Sequence, residues 1–89
     1  MHPPPNYIPD IYRARALGMC RPPKSNNIMP ITFTPCFFKI TYIWLKDYTG
    51  LWVKPINLSE DFWICWVWNL NLWILAKVPI INIEAFICN

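Results

Sequence analysis

Glycine, histidine and charge are all scarce in this 89-residue chain, which holds two Gly, one His and 15% charged residues. Without a Gly-rich run there is no loop of the kind that cradles phosphates. The sole imidazole is His2, in the N-terminal tail. Neither a Ser-His-Asp set nor a Cys-His pair can therefore be assembled from the body of the chain. The acids are Asp10, Asp47, Glu60, Asp61 and Glu84. Glu60 and Asp61 are adjacent, so their side chains diverge on either a strand or a helix and make a poor acid/base pair. No enzymatic activity is expected. Cys20, Cys36, Cys65 and Cys88 occur singly, without zinc-type spacing, so neither a metal site nor a cofactor is expected. Met1-His2-Pro3-Pro4-Pro5 has neither the charged start nor the apolar stretch of a secretory signal, so free thiols are expected.

Present in abundance are hydrophobic residues, at 55%, with six Trp and ten Pro. A chain of this length makes one domain at most and buries only about 60% of its unfolded surface. Ordinary domains carry about 25% charged residues. With fewer charges than that, apolar patches remain on the surface and seek partners. The chain reads as an obligate subunit of a larger assembly. Thirteen Ile, eight Asn and the frequent Trp suit an AT-rich gene read with a reassigned Trp codon, hence an organelle-encoded, mitochondrial protein.

Residues 1–30 read as an extended, basic, Pro-rich arm. Pro3, Pro4, Pro5, Pro9, Pro22, Pro23 and Pro30 fix φ and remove backbone donors. Arg13, Arg15, Arg21 and Lys24 carry its charge, with Asp10 the one nearby acid. Residues 31–89 read as a small hydrophobic β-rich domain. Ile31-Thr32-Phe33-Thr34 and Phe37 to Leu45 are β-branched and aromatic. Lys46-Asp47-Tyr48-Thr49-Gly50 predicts a turn, with Gly50 taking positive φ. Leu51-Trp52-Val53 returns, and Pro55 ends that hairpin.

The stretch from Ser59 to Pro79 allows two readings. As a helix it has Ser59 as N-cap, Glu60 and Asp61 in the first turn, Lys77 in the last and Pro79 beyond. Its uncharged part, Phe62 to Ala76, would be about 22 Å long, short of a bilayer core of about 30 Å. As strands, Phe62 to Trp68 and Leu72 to Leu75 flank a turn at Asn69-Leu70-Asn71, and the side chains fit better. Ile80 to Ile87 supplies a last strand, with Ile81, Ile83 and Ala85 alternating against Asn82, Glu84 and Phe86. The strand reading is preferred. Five or six short strands after an arm predict an all-β fold, a small OB-like five-stranded barrel. The alternative is an irregular arm plus one hydrophobic α-helix. Trp44, Trp52, Trp63, Trp66, Trp68 and Trp73 are read as core or interface anchors before nucleobase-stacking platforms.

Arg21-Pro22-Pro23-Lys24-Ser25-Asn26-Asn27 combines two cations with amide donors and acceptors on a stiff backbone, a chemistry suited to folded RNA. With Gly18-Met19-Cys20 before it, this segment resembles the decoding loop of the universal small-subunit ribosomal protein twelve family. That family has Gly-x-Cys followed by Arg-x-Pro-Lys-x-x-Asn. The Asp47 to Gly50 turn, Asn57-Leu58-Ser59-Glu60 before a hydrophobic strand, and Pro79 follow in the family's order. The family's Gly-rich segments and basic C-terminal tail have no counterpart here. The resemblance implies an OB-type barrel with an extended arm, and a structural role in translation on the small subunit of the mitochondrial matrix ribosome. Its partners would be rRNA and neighbouring ribosomal proteins. Lys24 and Asn27 would make the decoding-site contacts, with Pro79 in a second RNA-facing loop. Arg13, Arg15, Arg21 and Asn26 complete the expected RNA-binding set. The alternative function is a small accessory subunit of an organellar inner-membrane complex, with Ser59 to Lys77 as a short membrane helix.

Overall fold

The computed structural model describes residues 1–17 and 36–88. The expected strand at Ile31-Thr32-Phe33-Thr34 lies outside them. Within them five strands form one antiparallel sheet: β1 (Thr41–Leu45), β2 (Gly50–Ser59), β3 (Phe62–Asn69), β4 (Leu72–Pro79) and β5 (Ile83–Cys88). Their order is β4-β3-β2-β1-β5. The helix expected as the alternative over Ser59 to Lys77 does not form. Phe62 to Trp68 offers no strong helix former, and two tight hairpins satisfy its backbone as strands. Among the described residues no helix is long and apolar enough to cross a membrane.

The all-β class holds, but the sheet is open, with β4 and β5 at its two edges. The reason lies in their connection. β4 and β5 run in the same direction, because β4-β3-β2-β1-β5 alternates at every antiparallel pairing. Only a 3₁₀ turn, Ile80–Asn82, separates them. Parallel neighbours need a crossover of about a dozen residues or more. The chain therefore continues from β4 into β5 end to end and cannot lay them side by side.

The turns depart from expectation in instructive ways. In the β1–β2 turn the Asp47 carboxylate accepts from the Thr49 amide at 3.0 Å and the Thr49 hydroxyl at 2.6 Å. The positive φ there falls on Tyr48, at 65°, not on Gly50. Gly50 serves space instead, since a Cβ at that position would run into the Tyr42 ring. Pro55 does not end β2. It sits inside the strand opposite Cys65, where the register shifts between Pro55 and Asn57, and a bulge is the place a strand tolerates a missing N–H. The Pro55 carbonyl accepts from Phe38 N–H at 2.7 Å, a residue with φ of 64° that keeps the expected strand from starting at Phe37. A second shift between Trp44 and Leu45 breaks the expected alternation in β5, so that Ile83, Ala85 and Phe86 are all buried.

Each face of the curled sheet carries its own core. On the concave side Ile43, Val53, Trp63, Cys65, Val78, Ile83 and Phe86 pack with Cys36. On the other, Tyr42, Trp44 and Ala85 meet Ala14. Ala14 belongs to a short helix, α1 (Ile11–Ala16), started by Asp10, whose side chain accepts from Tyr12 N–H at 2.9 Å. Arg13 and Arg15 occupy its last turn, where the helix end favours cations. The arm before it crosses that same face. The His2 carbonyl accepts from Trp73 Nε1 on β4 at 3.1 Å, and Tyr7 meets Trp52 on β2 edge to face with ring centroids 6.0 Å apart. Cys36 and Cys88 form a disulfide with a Cα–Cα distance of 5.6 Å, where free thiols were expected. The expectation of free thiols rested on the lack of a secretory signal, which says nothing of whether the fold brings together two cysteines 52 residues apart. The bridge ties the entry of the sheet to its last strand.

Candidate interaction surface

Exposed large apolar side chains occur on the arm and α1, at Tyr7, Ile8, Tyr12 and Leu17, and at Phe38, Tyr48 and Ile81. The hairpin β3–β4, however, brings four together without a charge between them. Its register runs without interruption from Phe62 opposite Pro79 to Asn69 opposite Leu72. Between Phe62 and Pro79 the sequence holds one charge, Lys77. Trp63, Cys65 and Val78 on the concave side are buried, but the distal half of the hairpin reaches past the core. There Leu70 is 84% exposed, Leu72 54%, Leu75 53% and Ile74 41%. Leu72 and Ile74 share the concave face with Val78, whereas Leu75 shares the other face with Trp68 and Trp73, which meet edge to face at 5.2 Å. Lys77 lies along the same face, its ammonium 5.8 Å from the Phe62 ring centroid. β4 thus presents large side chains on both faces and, among the described residues, an edge without a neighbouring strand.

The other edge is different. β5 carries the register shift, Glu84, the disulfide at Cys88, and α1 packed beside it. Bulges, charge and covering elements are the devices by which natural sheets blunt an edge. β4 has Lys77 and Pro79 at one end alone.

Of the residues expected to bind RNA, Arg13 and Arg15 are exposed on α1, the Arg15 guanidinium 5.8 Å from the Tyr12 ring centroid. Pro79 is the last residue of β4, half-buried opposite Phe62. The arginines sit by β5 and Pro79 on β4, so these three do not form one cluster. Arg21, Lys24, Asn26 and Asn27, with Gly18-Met19-Cys20, lie outside the described residues.

The chemistry within the described residues is sparse. No three of His, Cys, Asp and Glu come together there. Cys65 is the one thiol left free in this part of the chain, and burial pushes it up to about 12, far from nucleophilic. A cleft of about 280 Å³ lies between the arm and the sheet, lined by Ile8, Asp10, Arg13, Trp52 and Ile87 among others. Asp10 is already engaged there in capping α1.

The turn expected at Asn69-Leu70-Asn71 forms at Leu70-Asn71, with Asn69 closing β3, but the exposed surface around it was not foreseen. Composition says that apolar patches must remain and gives no hint of where. With both faces of β3 and β4 apolar, period-two alternation cannot separate buried from open positions.

No protein-family model, no curated protein and no solved structure matches the chain. Any functional reading therefore rests on these residues alone.

Proposed function

We propose that the protein is a non-catalytic interaction module that works as a subunit, associating through the apolar end of its β3–β4 hairpin. One observation carries this reading: Leu70, Leu72, Ile74 and Leu75 are exposed together on one hairpin that has a single charge. Completing the burial of one such side chain contributes on the order of 1 kcal/mol. Four together outweigh what exposed charges such as Arg13 and Arg15 offer, at roughly 0–1 kcal/mol per ion pair. The supporting chemistry on the rest of the hairpin is aromatic, which suits protein contact.

A photoreactive residue at position 72 tests this in the native setting. The expected product is a protein adduct, lost when Leu70 and Leu75 are both changed to Lys. A lipid adduct, or an adduct unchanged by those substitutions, overturns it.

A second reading, the mitochondrial small-subunit ribosomal protein, is favoured by the exposure of Arg13 and Arg15 on α1, at the end of the strand order opposite β4. Phosphate contacts there would leave the hairpin to neighbouring proteins. Co-sedimentation with a small ribosomal subunit, weakened by Arg13→Ala with Arg15→Ala and by rising salt, is its expected mark. Sedimentation free of rRNA ends it.

A further inference from the structure

We propose that β4 pairs antiparallel with β4 of a second copy of this chain, about a two-fold axis at Leu75. This rests on the hairpin reading and names its partner. The backbone sets the rule. In the two-residue hairpin the closing pair, Asn69 and Leu72, exchanges its N–H···O bonds, and the ladder alternates from there. Leu72, Ile74, Ala76 and Val78 then point their amides at β3. Trp73, Leu75, Lys77 and Pro79 point theirs outward. Two observations agree with this phase. Trp68 and Trp73 touch, as opposed side chains of a non-hydrogen-bonded pair do. The next inward residue, Ile80, donates to the Asp61 carbonyl at 2.8 Å. Pro79, which has no N–H, thus falls where the sheet needs none from it.

The outward groups select one register. With Leu75 opposite Leu75 of the partner copy, Trp73 faces Lys77 of the partner copy and Lys77 faces its Trp73. Every outward N–H of the strand then meets an outward carbonyl. The single cation lies against an indole face instead of another cation, a favourable pairing. Centring the axis on Lys77 would oppose the two ammonium groups directly, which is destabilising. Centring it on Ala76 keeps as many N–H···O bonds but sets Lys77 against Leu75 and Trp73 against Pro79, so the cation loses its indole partner. Centring it on Ile74 carries Lys77 past the strand to Asn71 in the turn, and a bonded pair is lost. β4 therefore matches itself in hydrogen bonds, charge and apolar surface, with Ile74 and Ala76 opposite one another on the concave side. No comparable self-match exists on β5, whose bulge interrupts the ladder.

The test uses the full chain with Cys36–Cys88 oxidised, in sedimentation velocity from about 1 to 200 µM. The wild type is expected to move to twice the 10.6 kDa chain mass within that range. Leu75→Lys and Leu75→Glu, at an exposed position and with the monomer fold checked by circular dichroism, are each expected to dimerise at least tenfold more weakly. Mixing the two variants is expected to restore a dimer of one each, because only this register sets position 75 against itself. A wild type that stays monomeric, or variants that dimerise as the wild type does, overturns the pairing. So does a mixture of the variants that stays monomeric. A monomer that still forms the protein adduct at position 72 overturns self-pairing while leaving the hairpin reading in place.

Discussion

Trp63 on β3 and Phe86 on β5 meet edge to face with ring centroids 5.4 Å apart, although β2 and β1 lie between their strands in the sheet. Both side chains are fully buried. Contact across that many strands is possible because the sheet curls, and the two rings fill the hollow it makes. Phe86→Ala is expected to cost about 3–5 kcal/mol, a large part of the stability of a domain this small. Phe86→Leu should cost less by preserving volume. A double-mutant cycle with Trp63→Leu, followed by urea denaturation, should show coupling of about 0.5–1.5 kcal/mol between the rings. Strict additivity would mean that they do not pack on each other.

Gly50 and Tyr42 are a second such pair. The Tyr42 ring lies over Gly50 so closely that an added Cβ would overlap its Cζ and hydroxyl, with Cε2 at 2.6 Å. Tyr42 is also wedged between Trp44 and Trp52, at centroid distances of 5.0 and 4.9 Å. The two indoles restrict how far the ring can move aside. Gly50→Ala is expected to destabilise by about 1–3 kcal/mol through overpacking. With Tyr42→Ala already present, the same change should cost much less. Equal costs in the two backgrounds would show that space is not the constraint.

The disulfide closes a loop across a sequence separation of 52 residues. In the chain-entropy view a loop of that size contributes about 4 kcal/mol. Reduction, or Cys36→Ser with Cys88→Ser, should therefore lower the urea midpoint by more than any single surface substitution. Mass spectrometry after alkylation without reductant checks the bond itself. One chain fragment modified at Cys36 or Cys88 in the folded protein would contradict it. Cys65, buried and with its thiol donating to the Trp63 carbonyl at 3.7 Å, should stay unmodified until unfolding.

Asp47 makes stability depend on acid. Its carboxylate is held below the usual value first by the Thr49 hydroxyl and then by the Thr49 amide. A carboxylate whose folded pKa is depressed contributes stability above its unfolded pKa, about 3.9, and loses it as pH falls through the lower folded value. Thermal midpoints of the wild type and Asp47→Ala should thus differ at neutral pH and converge below about pH 4. A gap that persists unchanged into strong acid would show that the carboxylate charge has no part in the turn.

Much of the fold was legible from local chemistry. The strands at 62–68 and 72–75, the turn at 69–71 and the β1–β2 turn all follow from β-branched and aromatic runs broken by Asn, Asp and Gly. The features misread were those decided by long-range geometry. Pro55 stays in its strand because a bulge opposite Cys65 absorbs it. Gly50 is needed for Tyr42, a neighbour on another strand, and not for its own dihedral. The barrel stays open because of the direction in which β4 leaves its hairpin, which no propensity encodes. The RNA-facing expectation drew on the loop at 21–27, and the hairpin surface drew on burial, which a doubly apolar strand pair hides.

The β2–β3 and β3–β4 turns carry a test that separates folding from association. In each two-residue loop the first central residue takes positive φ: Glu60 at 54° and Leu70 at 61°. That pattern matches a turn in which Gly normally holds the position. A side chain there costs about 1–2 kcal/mol, partly offset by the greater freedom of Gly in the unfolded chain, about 0.5–1 kcal/mol. Glu60→Gly and Leu70→Gly are therefore each expected to stabilise the monomer by up to about 1 kcal/mol, read as a higher urea midpoint. Leu70 is 84% exposed, so removing its side chain sacrifices little packing within the chain. Retaining an exposed leucine in a strained position makes physical sense if that side chain is used by something outside the monomer. Leu70→Gly should then raise stability and weaken the protein adduct formed at position 72, whereas Glu60→Gly, at the opposite end of β3, should raise stability alone. If both substitutions stabilise and neither alters the adduct, the leucine at the tip of the hairpin has no role in association.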